Sequence, residues 1–276
     1  MMDRQLMVAT VSRYIYRAII RTGVFKWKVW RLFETRAVNM QRTLAPKDDG
    51  VVVLPKRGVI EVGADITKQD TVLPPQVLDY FIEKSNYRAI MNYCYCRDAN
   101  ECKDYPRDLG CLFLGEAARG IHPDMGRAAT KEEAREHIRK CRESGMIHIA
   151  GKFWGDSLWL GVQPHEKLFT ICNCCPCCCV TMVTPFVHPE LTGIMHKLPG
   201  VNTVVGAECI GCGKCLGACI YGGVKLEGKQ AFITEACRAC GRCVEVCLQK
   251  ALRITIDDPD YVQKAIAFLE PRVDLS

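Results

Sequence analysis

The sequence predicts an α+β protein in three parts plus a closing helix. A basic amphipathic helical segment (residues 1–45) comes first, then a cysteine-rich, mainly helical part (46–198). A smaller part built as a pseudo-twofold repeat (199–256) and a C-terminal helix (257–276) complete the chain. Three observations lead there: 19 Cys in 276 residues, an excess of positive charge confined to one end, and a cysteine pattern that recurs at a fixed displacement. With 49% hydrophobic and 25% charged residues, the chain can bury a sizeable core, which excludes a disordered tail or a collagen-like repeat. A chain of this size needs no stapling and no secretory signal is read at its start, so a disulfide framework is disfavoured.

Residues 1–42 hold nine Lys/Arg against Asp3 and Glu34, a charge of +7, and the rest of the chain is −1. Placed at ~100° per residue, Thr10, Arg13, Arg17, Arg21, Lys28, Arg31 and Thr35 share a face. Ile15, Tyr16, Ile19, Trp27, Trp30 and Phe33 lie on other faces, and Gly23 is a place for a break. Three uses compete: docking on a partner or on the chain's own body, peripheral contact with an anionic membrane surface, and a nucleic-acid arm. The neutral body makes nucleic acid the least favoured.

In the body, 51–54 and 59–62 are short β-branched runs around Pro55-Lys56-Arg57-Gly58, which predicts a hairpin. Pro74-Pro75 opens a helix to about Lys84, and another helix is expected around 111–119, ending at Gly120. Thr130 with Glu133 forms a capping box for a helix that stops at Gly145. Ala134, Ile138 and Cys141 share its inner face, which makes Cys141 a core residue. Asp258-Pro259 begins a last helix through Glu270 with Val262, Ile266 and Leu269 on its apolar face. The uncharged run 168–189 is long enough to span a bilayer, but it carries six Cys, Pro176, Pro185 and His188 and reads as a ligand-bearing segment.

Cys209, Cys212, Cys215 and Cys219 follow the spacing CxxCxxCxxxC, and Cys237, Cys240, Cys243 and Cys247 repeat it 28 residues on. Gly213-Lys214 corresponds to Gly241-Arg242, and 224–226 to 252–254, so the repeat is an internal duplication. Three thiolates two residues apart can curl around three corners of an iron–sulfur cube, while the fourth iron must be reached from elsewhere. Zinc normally takes two separated pairs instead. Residues 200–256 resemble the bacterial two-[4Fe-4S] ferredoxin family in all eight cysteines. The proline that usually follows each fourth Cys is replaced by Ile220 and Leu248. The resemblance implies two [4Fe-4S] clusters with crossed ligands: Cys209, Cys212, Cys215 and Cys247 on one, and Cys237, Cys240, Cys243 and Cys219 on the other.

Upstream stand Cys94, Cys96, Cys102 and Cys111, then Cys172, Cys174, Cys175, Cys177, Cys178 and Cys179 in the string CNCCPCCC. Ten thiols in two tight groups call for metal. Neighbouring cysteines point in different directions, so one string can serve two centres. The two groups are expected to meet and hold one or two further iron–sulfur clusters, with two or three thiols redundant. Val180 after Cys178-Cys179 breaks the CCG signature of heterodisulfide-reductase-type domains. Arg97 is either a counter-charge or a solvated side chain. The six His show no HxxxH pairing, and no GxGxxG, Walker or GxSxG motif is present.

These readings lead to a cytoplasmic electron carrier, or an electron-transfer subunit, that passes single electrons to a partner oxidoreductase such as a flavoprotein. Association with the inner face of the membrane would run through residues 1–42, and low-potential clusters suit anaerobic metabolism. The alternative is an enzyme whose upstream cluster has an open iron and reduces a substrate such as a disulfide, with Asp98, Glu101 and Asp104 as nearby acids. A zinc-bound scaffold is the third class.

Overall fold

The computed structural model describes residues 4–22, 39, 47–55, 60–62, 75–186 and 189–276. Its elements are α1 (Arg4–Thr22), β1 (Gly50–Leu54), β2 (Ile60–Val62), α2 (Pro75–Lys84), β3 (Arg88–Met91), α3 (Tyr95–Ala99), β4 (Leu112–Leu114) and β5 (Gly126–Ala128). Then come α4 (Lys131–Glu143), β6 (Ile147–Lys152), α5 (Trp154–Leu160), β7 (Phe169–Cys174), α6 (Pro189–Thr192) and β8 (Met195–Lys197). The C-terminal part contributes β9 (Val201–Val205), α7 (Lys214–Ala218), β10 (Val224–Glu227), β11 (Gln230–Ile233), α8 (Arg242–Glu245), β12 (Leu252–Ile256) and α9 (Tyr261–Leu269).

The fold is mixed α/β. Residues 46–198 are not mainly helical, as the sequence suggested, but are organised on a seven-stranded sheet of order β5-β3-β4-β7-β6-β1-β8. All neighbours are antiparallel except β1 and β8. The reason is burial: β1 and β6 are buried along their whole length, so they show no polar alternation. Leu112, Phe113 and Leu114, expected inside a helix, form β4 between β3 and β7, and only a 3-10 turn, Glu116–Gly120, follows. The predicted hairpin is also replaced. Both runs are strands, but β1 pairs with β6 and β8, whereas β2 joins β12 and β9 in a second sheet.

The period of two still sets the layers. Val52 and Leu54 face a core closed by Val77, Phe81 and Ile82 of α2, Ile138 of α4 and Leu269 of α9, with Phe81 stacked on Phe169 at 4.4 Å. Val51 and Val53 face the opposite way, into a cluster shared with Ile149, Cys174, Ile220, Tyr221 and Cys240. The C-terminal part therefore sits on this second face. Val201, Ile254 and Ile256 also enter the first core, so burial is continuous across the expected boundary at residue 198.

Three helices stand close to their sequence limits. Pro75 opens α2, Thr130 caps α4 with both bonds of the box in place, and α9 runs to Leu269. Helix α1 docks on the body beside α3 and α5. Gln5 Nε2 donates to Gly120 O at 2.8 Å, and Arg17 pairs with Glu101 at 2.8 Å. Its outer side exposes Met7, Val11, Tyr14 and Ile15. The side chains of Arg13, Tyr16, Ile19 and Arg21, and the Gly23, Trp27, Lys28, Trp30, Arg31, Phe33 and Thr35 positions, lie outside the described residues. Among the described residues no helix is long and apolar enough to cross a membrane.

Candidate metal centres

The C-terminal cysteines lie on loops whose backbone repeats with the sequence. Left-handed residues occur in pairs 28 apart: Gly211 and Ala239 (φ 68° and 49°), Gly213 and Gly241 (77° and 83°), Gly222 and Lys250 (70° and 53°). A non-glycine residue held there costs on the order of 1 kcal/mol or more, so Ala239 and Lys250 mark turns enforced by their surroundings. Gly213 and Gly241 each start a short helix, α7 or α8, that carries the third cysteine of its run.

These turns bring Cys209, Cys212 and Cys215 to the wall of one pocket, and Cys247 of the second run completes that wall. Cys219 stands with Cys237, Cys240 and Cys243. Backbone amides point at sulfur: Gly223 N–H donates to Cys219 Sγ at 3.1 Å, Ala231 N–H to Cys209 Sγ at 3.3 Å and Ala239 N–H to Cys237 Sγ at 3.3 Å. Space is tight around them, because a Cβ on Gly223 would lie 2.5 Å from Cys237 Cα.

The ten upstream cysteines fall into two adjoining sets that share Cys175. Cys94, Cys96, Cys111, Cys172, Cys174, Cys175 and Cys179 line a cavity of about 370 Å³ on the second face of the sheet. Cys111 and Cys172 Sγ are 3.5 Å apart. Cys175 also stands with Cys102, Cys177 and Cys178, and these four lie within 4.8 Å of one another and form a group that could hold a metal ion. Strand geometry makes the division. Cys172 and Cys174 lie two apart on β7 and so share a face, and the turn after Cys174 keeps Cys175 on the cavity wall but carries Cys177 and Cys178 away before Cys179 returns.

Two buried cations accompany the thiols. Arg97 is fully buried and donates from Nε to Pro106 O and from Nη1 to Asn173 O, both at 2.8 Å, and from Nη2 to Leu109 O. Burial lowers its pKa, but the neighbouring Cys94, Cys175 and Cys111 thiols outweigh this and raise it. Arg242 is 5% exposed; its Nη2 donates to Cys174 O at 3.0 Å, and its Nη1 has no partner among the described residues. Neither guanidinium bonds a carboxylate in the described structure. A buried cation costs several kcal/mol unless negative charge offsets it, which suits thiolates rather than thiols in this cavity. The Cys94 thiol is held at about 7, first by its hydrogen bond from Cys96.

Asp156 also lines the cavity, and burial pushes its carboxyl up to about 6. Its oxygens accept from Thr170 Oγ1 at 2.7 Å and Trp159 Nε1 at 3.1 Å. Behind β7, Asn173 Oδ1 lies 2.7 Å from His148 Nδ1, and Asn173 Nδ2 donates to Gly110 O at 2.7 Å. Burial lowers His148 to about 4, so it is neutral there.

Of the acids expected nearby, Asp98, Glu101 and Asp104 do not line the cavity, whereas Asp156 does. Cys141 is fully buried, 3.7 Å from His137 Nε2, and belongs to neither group. Of the two alternatives for Arg97, the solvated side chain is ruled out by its full burial beside Cys94, Cys111 and Cys175. Asp156 and Tyr221 carried no sequence signal, and Arg242 was marked only as a position of the repeat. Arg242 matches Lys214 in the repeat, yet Lys214 is exposed. Comparison with protein-family models, with curated proteins and with solved structures finds no match to this chain.

Proposed function

We propose that this chain is an iron–sulfur electron-transfer protein with a ferredoxin-type C-terminal part holding two [4Fe-4S] clusters and a further cluster in the upstream cysteine-lined cavity. The observation that carries the reading is that Cys247 closes the pocket of Cys209, Cys212 and Cys215, the crossed arrangement expected of paired cubanes. The recurrence of left-handed positions at the displacement of the cysteines supports it. So does the order strand, helix, strand in each half, β9-α7-β10 and then β11-α8-β12.

Clusters in these places would supply one-electron chemistry; the chain supplies the rest. Thiolates ligate, the amides of Gly223, Ala231 and Ala239 donate to sulfur, and Arg97 and Arg242 place positive charge where an added electron would be stabilised. Arg242 bridges the two regions, because it neighbours Cys240 as well as Cys174 and Cys179. Tyr221 lies beside the same three cysteines. An electron entering the C-terminal part thus has a short packed route to the cavity. The reading carries with it a partner oxidoreductase and a reducing, cytoplasmic setting, with α1 as a candidate contact for a partner or a membrane surface.

Anaerobic purification with iron and sulfide analysis and reduced-state EPR tests it. About eight iron and eight sulfide from the C-terminal sites, with more from the cavity, are expected. Zinc, or no metal, at the eight C-terminal cysteines would end the proposal.

Asp156 favours a second reading. A carboxyl held at about 6 on the wall of the cavity, with Thr181, Thr184 and Thr192 also on that wall, is suited to deliver a proton to a substrate reduced there. An EPR signal that changes on adding thiol or cyanide would support an open iron; an unchanged signal would leave the carrier.

A further inference from the structure

The four-cysteine group differs from the other thiol sets in its dimensions. Cys102 Sγ lies 3.6 Å from Cys177 Sγ, Cys177 Sγ 3.6 Å from Cys175 Sγ, and Cys178 Sγ 3.7 Å from Cys177 Sγ. No pair among the four exceeds 4.8 Å. A tetrahedral ion bound at ~2.3 Å by four thiolates sets its sulfurs about 3.8 Å apart. A cubane gives each thiolate its own iron, which holds the ligand sulfurs out on the corners of a much larger body. A two-iron cluster would split them into two separated pairs. One atom at the centre of the four fits; a cluster has no room.

Donors already point at these sulfurs. Cys178 N–H donates to Cys175 Sγ at 3.3 Å across the Cys175-Pro176-Cys177-Cys178 turn. The backbone of Asp104 and Tyr105 lies beside Cys102, and the Arg97 guanidinium beside Cys175. Such contacts stabilise thiolate over thiol. All four are free cysteines, three of them buried, so no disulfide accounts for the grouping.

We infer that Cys102, Cys175, Cys177 and Cys178 hold a single tetrahedral metal ion, zinc or iron, rather than part of an iron–sulfur cluster. The ion clamps the irregular loop after α3 to the turn after β7 and so fixes the entrance of the string that feeds the neighbouring cavity. The inference does not rest on the iron–sulfur reading of the C-terminal cysteines, which the test leaves untouched.

The test uses the full chain purified without air. Wild-type protein is expected to contain either one zinc, whose X-ray absorption fine structure shows four sulfurs at about 2.3 Å, or one iron in excess of sulfide with the Mössbauer signature of an isolated tetrahedral ion. Cys102→Ser/Cys177→Ser should lose that one ion and no sulfide. Three results overturn the inference: equal iron and sulfide with no zinc in the wild type, loss of iron and sulfide together in the variant, or a disulfide within the group in metal-free protein. The wild-type measurement decides even if the variant fails to fold.

Discussion

Replacing Arg97 with Met separates a structural strut from an ordinary surface cation. The guanidinium ties three carbonyls together: Pro106 and Leu109 on the loop after α3, and Asn173 on β7. Charge-assisted bonds of this kind contribute about 1.5–3 kcal/mol each, so three amount to roughly 4.5–9 kcal/mol. Relief of the buried charge offsets part of that, and losses of about 3–5 kcal/mol are usual when one partner of a buried pair is removed. In a chain of this size that lowers the unfolding midpoint by roughly 6–20 °C. The assay is anaerobic thermal unfolding followed by visible circular dichroism at one fixed scan rate, with metal analysis on the same samples. Arg97→Met should unfold early and bind less metal upstream. Arg97→Lys keeps the charge but cannot reach three carbonyls at once, so it should retain metal while losing part of the stability. If Arg97→Met kept both its midpoint and its metal content, the account of this residue as the cavity's counter-charge would be wrong.

Five further outcomes are expected. Cys247→Ala should damage the centre formed with Cys209, Cys212 and Cys215, and Cys219→Ala the other, so that EPR of each variant loses a different component. Gly223→Ala drives a methyl group into the Cys237 backbone and should cost about 1–3 kcal/mol with loss of C-terminal metal. Gly217→Ala, where nothing lies within 4 Å, should leave both unchanged or slightly improve stability. Cys141→Ala should leave the metal count unaltered by elemental analysis, because that thiol lies outside every group. His148 has its folded pKa lowered from 6.5 to about 4, so between those values the unfolded chain gains a proton that the folded chain does not. Its stability contribution is therefore complete above pH 6.5 and declines by up to about 3 kcal/mol as pH falls towards 4. Chemical unfolding across that range should show a flatter profile for His148→Leu than for wild type.

Local signals suffice where one residue type has one local consequence. The capping box at Thr130 and Glu133, the proline entry of α2 and the inward Cys141 needed no knowledge of the rest of the molecule. Strand pairing is different. The runs that became β1 and β2 have equal claims to pair with each other, and only the register of β6, β8 and β12 sends them to separate sheets. Short strands buried on both faces, such as β4, also lack the alternation that would distinguish them from buried helix.

The chain's covalent order by itself determined the repeat, the eight C-terminal cysteines and the presence of ten more thiols too dense to be inert, because spacing along a short loop limits what its side chains can surround. How those ten are shared between the cavity and the four-cysteine group was decided in three dimensions, since it depends on which face of β7 each residue leaves and where the loop after α3 returns. The same holds for the two basic residues of the repeat: Lys214 and Arg242 occupy equivalent positions, but only one is covered by the seven-stranded sheet. Packing between distant segments, which no local pattern encodes, turned that one into a buried cation beside sulfur.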